Sequence, residues 1–272
     1  VTLFRHLIAE RGAWAVNLGK NAIAGFLLGV TTLALGQWPA VLRAPAADLW
    51  LIALSGVVGM TLGDTALFAA VHRIGVHRAL LLQTLAPVFA AVLAFALHGE
   101  RLGGSELLGA ATTLLGVAVV VAPRRLGAAV GGFTVAGTVL ATLAAAGQGT
   151  GVVLAKMGME TVPFLAASFI RLSVAAVGVL AILAATGRME RVGRLRGSVG
   201  RLLPPTLLGT YLAVLLMMAG IAFAPAAIAA VLLSTPPIFS LFIDARVEGT
   251  PITLRGLGGT LLAVAGVGIL TL

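Results

Sequence analysis

Asp64 is the side chain whose position most demands a chemical reason. It lies about two thirds of the way along an apolar run and is the only charged residue from Leu49 to Val71. An ionisable group at membrane depth costs roughly 2.5–3.5 kcal/mol on insertion scales, so Asp64 is expected to face a partner or a wet cavity. Thr61, Thr65 and Phe68 share its face at helical spacing. Two readings stand side by side. In one, Asp64 carries a proton or serves as the counter-charge to an amine. In the other it is a structural acceptor that bonds a neighbouring helix end or pairs with an arginine, and without a partner it stays protonated.

Prolines mark a second set of candidates. Pro87 and the pair Pro236 and Pro237 interrupt apolar stretches at corresponding places in the chain. A proline inside a helix frees a carbonyl and kinks the axis, so these residues are expected to act as kinks or gates. Gln83, Thr84, Ser234 and Thr235 lie within a turn of them and either line a cavity or satisfy the kinked backbone. Gln148 is the one strongly polar side chain of its helix, and Tyr211, the only tyrosine, adds a hydroxyl to another. Arg171 falls one turn into its helix and is expected to snorkel to the outer interface, the alternative being that it attracts a substrate carboxylate. The run Gly147, Gly149 and Gly151 has the spacing of a phosphate loop, but no strand precedes it, and helix packing or a hinge is the better reading. The same holds for Gly25 with Gly29 and Gly59 with Gly63. The four histidines show no ligand spacing, so no metal and no cofactor is expected.

The elements that must carry these residues are membrane helices. Hydrophobic residues make up 60% of the 272, charged residues 10%, and the mean hydropathy is +1.11. No soluble domain has that balance. Apolar runs long enough to cross about 30 Å of hydrocarbon are predicted near 17–36, 49–71, 78–97, 106–122, 132–155, 164–186, 202–222, 226–244 and 256–272. There are no cysteines, hence no disulfide or thiolate site. The net charge of +9 comes from 18 basic residues, 16 of them arginines scattered at helix ends. Nucleic-acid binding would need them gathered on one face, and it is not expected.

The chain also nearly reads twice. Moving the second half back by 150 positions lays Pro237 on Pro87, Phe239 on Phe89, Gly249 on Gly99, Gly259 on Gly109 and Gly266 on Gly116. Upstream, Glu160 falls on Glu10, Gly209 on Gly59 and Leu212 on Leu62. Two five-helix repeats follow, over residues 1–126 and 127–272. The apolar stretch from Gly132 to Lys156 has no complete mate, so the first helix is expected to be largely missing, leaving about nine of ten helices. Fourteen basic residues, Lys20 among them as a loop residue, sort to one side of the membrane and four to the other, which makes the first side cytoplasmic. Equivalent loops carry opposite charge character: His72, Arg73, His77 and Arg78 are replaced by Ala222, Phe223, Ala227 and Ile228. That is the signature of an inverted-topology repeat.

The segment from Gly63 to Leu102 resembles the third and fourth helices of the EamA-like drug/metabolite transporter superfamily. The resemblance rests on Gly63-Asp64, the basic Ile74-Gly75 turn, Ala86-Pro87-Val88-Phe89 and the closing Gly99-Glu100-Arg101-Leu102, and continues through Gly109, Gly116, Pro237 and Gly266. It implies an all-α multi-pass protein of the cell (inner) membrane, with ten helices in two inverted halves around a central cavity. It implies a secondary active transporter, an exporter of a small metabolite, amino acid or drug by alternating access, with protons as a candidate coupling ion. The expected partners are a small-molecule substrate and the lipid bilayer, and the working unit a monomer or homodimer. The competing readings are an intramembrane lipid-processing enzyme, which would need clustered carboxylates where these nine are scattered, and a non-transporting membrane scaffold.

Overall fold

The computed structural model describes residues 4–98, 103–121, 134–193, 195, 197–215, 236–248 and 252–270. All regular structure among them is helical. A short α1 (Arg5–Arg11) leads into α2 (Ala13–Ala34) and a brief α3 (Trp38–Arg43). α4 (Ala46–Ser55), a π-helical turn (Gly56–Gly63) and α5 (Asp64–Ile74) then run as one 29-residue span. α6 (Val76–Gln83) and α7 (Ala86–His98) form a broken span, followed by α8 (Gly104–Val121). The second half repeats the plan with α9 (Val135–Gly158), α10 (Phe164–Ala185), a single-turn α11 (Glu190–Gly193) and α12 (Val199–Thr206), which passes into a second π-helical turn (Leu207–Leu212). α13 (Pro236–Glu248) and α14 (Leu254–Leu270) complete it.

The helices are apolar on the outside as well as within, as a chain dissolved in lipid must be. Phe26, Leu42, Trp50 and Leu254 are all more than two thirds exposed, a surface suited to hydrocarbon rather than water. Among the described residues, four spans are long and apolar enough to cross a membrane by length and composition: Ala46–Ile74, Val76–Ala94, Val135–Gly158 and Phe164–Ala185. α2 falls short of that measure although it has 22 residues, like α10, and packs along it. Its polar residues Asn17, Lys20 and Asn21 are buried against neighbouring helices rather than presented to lipid. Lys20 is therefore a residue of a helix and not, as its charge suggests, of the loop before it.

Without a hydrophobic force between helices in lipid, close backbone approach holds them together. The glycine run of α9 works in this way. Gly147 and Gly151 lie against Val58 and Gly59 of the π-helical turn, and Gly149 against Ala86 at the start of α7. Gly59 and Gly63 return the contact, and Gly25 and Gly29 of α2 meet Ser173 and Phe169 of α10. Both observations agree with the packing role read from their spacing.

The 150-residue offset reappears in three dimensions. Thr113 of α8 donates to the carbonyl of Ala263 on α14, its mate in the second half, and Gly109, Gly116, Gly259 and Gly266 line the same seam. α2 and α10 each end in a glycine of positive φ, Gly36 and Gly187. The following amides reach back, Gln37 to Thr32 and Arg188 to Leu183, the hydrogen bond of a Schellman stop. The two π-helical turns occupy equivalent stretches. The expected boundary at 126/127 lies outside the described residues.

Two polar contacts join the halves at related positions. Arg201 of α12 grips Glu10 of α1 in a bidentate bridge at 2.8 and 2.9 Å. Thr161, before α10, donates to Asp48 of α4 at 2.6 Å. Shifted by the offset, each contact falls within three residues of the other, and in an inverted repeat equivalent sites lie on opposite membrane faces. Both partners of the Arg201–Glu10 bridge are well exposed, so it orients the halves more than it stabilises them.

Two outcomes follow from this packing. A Cβ on Gly56 would come within 2.6 Å of the Arg171 carbonyl oxygen, so Gly56→Val is expected to destabilise the protein by about 1–3 kcal/mol, read as a lowered melting temperature in detergent. The Arg201 hydrogen bond and charge hold the Glu10 carboxyl below the usual glutamate range. Its contribution is then complete above that range and lost as the pH falls through the lowered value. The difference in melting temperature between wild type and Glu10→Gln is expected to stay level near neutrality and close on strong acidification.

Candidate functional site

Asp64 is not alone. The Lys20 ammonium, arriving from α2, lies 2.6 Å from its Oδ2, with the two side chains 7% and 14% exposed. The same ammonium sits 5.7 Å from the centre of the Phe68 ring, a favourable place for a cation with few waters. The carboxylate's partner is thus a lysine rather than the arginine considered from sequence. The pair answers the cost of burying either charge alone.

The π-helical turn explains how α2 holds this pair. A π turn breaks the i to i−4 ladder and leaves backbone carbonyls in search of donors. Asn17 supplies them: its Nδ2 lies 2.8 Å from the Met60 carbonyl, 3.4 Å from that of Thr61 and 2.8 Å from Thr65 Oγ1. Thr65 in turn donates to the Thr61 carbonyl at 2.6 Å, and Thr61 reaches the Ala175 carbonyl of α10 at 3.3 Å. Asn21 donates to Asn17 Oδ1 at 2.9 Å. Asn17, Lys20 and Asn21 are spaced three and one apart, so they form one polar face of α2 pressed on the interrupted helix. Thr61 and Thr65, selected with Asp64 from the sequence, belong to this cluster.

Arg171 departs from its expected place. Its side chain is only 8% exposed, buried rather than extended to the outer interface. Its Nε has no hydrogen-bond partner among the described residues, and Asp64 lies within electrostatic range of its guanidinium. Gly56 brings the backbones of the π turn and α10 together at Arg171, so this arginine stands at a packed helix contact.

The other candidates fall elsewhere. Thr84 donates to the Leu81 carbonyl at 2.7 Å and so satisfies the broken backbone between α6 and α7. Pro87 occupies the first turn of α7, where a missing amide costs nothing. Gln83 Oε1 is buried without a partner, as is Gln148 Oε1, which approaches Gly59 on the α9 side of the π turn. Tyr211, in the second π turn, bonds Thr31 of α2 at 2.7 Å. Pro236 opens α13 and is exposed. Ser234 and Thr235 lie outside the described residues, as does the side chain of Pro237.

Lys20, Asn17 and Asn21 were not singled out from the sequence. A signal existed in their i, i+3, i+4 spacing at the mouth of an apolar run, which places all three on one helix face.

A helical fold with an apolar exterior, two halves related by a fixed offset and a charge cluster inside its spans defines a multi-pass membrane protein of the inverted-repeat type. The model of the EamA-like transporter family matches residues 1–122 and 135–272, and the chain belongs to that family. It is similar to a curated protein of Streptantibioticus cattleyicolor described as a probable terminal-alkyne amino-acid exporter, with 32% identity over 109 residues. That stretch is 40% of this chain and 35% of the exporter, so the match spans about a third of the relative's length. A solved crystal structure, described only as that of a protein, superposes with a TM-score of 0.63 at 20% identity, covering 98% of this chain and 92% of that one. At that identity the likeness shows the fold.

The pair can be checked by a double-mutant cycle. Lys20→Met or Asp64→Leu alone leaves a buried unmatched charge and is expected to cost about 3–5 kcal/mol, with the double variant recovering most of it. Unfolding of the purified protein in mixed micelles measures this, and strictly additive losses would mean that the two side chains are not coupled.

Proposed function

We propose that this protein is a secondary active transporter that exports a small organic solute, an amino acid being the leading class, by alternating access between its two halves. The carrying observation is the buried Lys20–Asp64 pair, set beside a π-helical turn that has a counterpart in the other half. Membership of the family supports transport, and the similarity to a probable amino-acid exporter supports the solute class and the direction.

In this reading the π turns and the break at Thr84–Leu85 are the compliant places of otherwise stiff spans. Rocking of the halves exchanges the Arg201–Glu10 bridge on one face against the Thr161–Asp48 contact on the other. The pair supplies coupling of the right size. Protonating Asp64 would leave Lys20 without its counter-charge, with the Arg171 guanidinium on the neighbouring α10. Breaking a buried pair costs about 3–5 kcal/mol, and carrying a two-state equilibrium from 1:99 to 99:1 takes about 5.5 kcal/mol. One proton on one carboxylate therefore supplies most of a full conformational shift.

The test is flux of amino acids, amines and neutral metabolites in proteoliposomes with and without a pH gradient. Saturable, gradient-dependent movement of one class is expected. Asp64→Asn should abolish pH-driven flux while solute exchange persists in folded protein. Equal loss of both would assign Asp64 a structural role only.

A further inference from the structure

The charges buried in this cluster do not cancel. Lys20 and Asp64 neutralise each other at 2.6 Å. Arg171, more than nine-tenths buried on α10, adds a second cation whose Nε has no hydrogen-bond partner among the described residues. Asp64 is in electrostatic range of it but is already engaged by Lys20. Other described carboxylates are placed elsewhere: Glu10 is bonded to Arg201 and Asp48 to Thr161. Among the described residues a net positive charge is thus left inside the spans, where an uncompensated arginine is costly.

The geometry says where that charge is held. Gly25 faces Ser173 and Gly29 faces Phe169, so α2 and α10 run antiparallel, and Lys20 and Arg171 stand about seven residues, or roughly 10 Å, apart along the common axis. Asp64 serves the Lys20 end. The Arg171 backbone cannot withdraw, because Gly56 abuts its carbonyl. What remains unfilled is the hydrogen-bonding capacity of a planar guanidinium, whose fork of donors matches a carboxylate bidentately where an ammonium would act only as a point charge.

We propose that Arg171 is the anion-binding element of the transport site, taking the carboxylate of the solute, so that the cargo is a carboxylate-bearing solute rather than a plain amine or a neutral drug. The inference rests on the transport reading for its setting, but the binding it asserts is measurable without flux. The symmetry of the fold agrees with a dedicated role. The mate of Arg171 in the first half is Asn21, so the guanidinium is a departure from the repeat rather than part of it.

The full chain is purified and probed with two matched sets: leucine, isoamylamine and isocaproate, and phenylalanine, phenethylamine and hydrocinnamate. Thermal shift in detergent reads binding and counterflow in proteoliposomes reads transport. The amino acid and the acid of at least one set are expected to bind, and the amine not. Arg171→Gln should weaken that binding roughly tenfold or more, the scale of a lost charged hydrogen bond, while Arg171→Lys retains part of it. Without ligand, Arg171→Gln should melt no lower than wild type, because it removes an unmatched charge. The proposal is overturned if no carboxylate binds, if amines bind as well as acids, or if both variants melt lower without ligand and respond to carboxylates as wild type does. Saturable flux of amines alone would keep the transporter and discard the subsite. Carboxylate binding that depends on Arg171, with no flux of any probe, would keep the subsite and discard the transporter.

Discussion

In hydrocarbon every polar group must find its partner inside the protein, and the contact on which this structure turns is the one between Lys20 and Asp64. Neither charge is tolerable at that depth by itself, and each fixes the other's helix. The pair sets how α2 meets the span from Ala46 to Ile74, and Asn17 extends the contact by capping carbonyls that the π-helical turn leaves open. Glycines at Gly56, Gly59 and Gly63 let α10 and α9 close on either side of the same turn. An irregular backbone within a membrane span survives where neighbouring side chains satisfy it, and here that is the asparagine of α2.

Around this contact the fold is symmetrical, and its chemistry is not. Equivalent residues meet across the α8–α14 seam, equivalent glycines end α2 and α10, and equivalent π turns interrupt the spans that follow. The charged residues of the cluster break that pattern: the mates of Lys20, Asp64 and Arg171 are Ile170, Val214 and Asn21. Backbone geometry is shared between the halves because helix packing in lipid needs small residues at fixed spacings. Charge placement is free to diverge, and one site at the interface of two inverted halves needs only one set of groups.

Several features of the protein were legible before any coordinates. Long apolar runs, corresponding prolines and the 150-residue offset are local or periodic signals, and they lead to the helices, the halves and the family. The close-packing role of Gly147, Gly149 and Gly151 was also readable, since glycine inside an apolar helix without a preceding strand has little else to do. Lys20 misled, because loops beside membrane helices collect basic residues, and a lysine near the start of an apolar run looks like one of them. Arg171 misled for the opposite reason: one turn from a helix end, snorkelling is the cheap solution for an isolated helix.

By itself, the order of the amino acids determined that the chain is a bundle of membrane helices, that the bundle is doubled, and that a carboxylate at Asp64 requires an explanation. Those properties depend on hydropathy, periodicity and repetition, which are properties of the chain taken one segment at a time. Tertiary structure alone decided which cation answers Asp64, that Asn17 mends the π-helical turn, and that Arg171 is buried with no hydrogen-bond partner for its Nε among the described residues. Each of these depends on which faces of α2, α5 and α10 meet, and at what height. Register between distant helices is set by close packing of residues about 44 and 114 positions apart, and no local pattern carries that information.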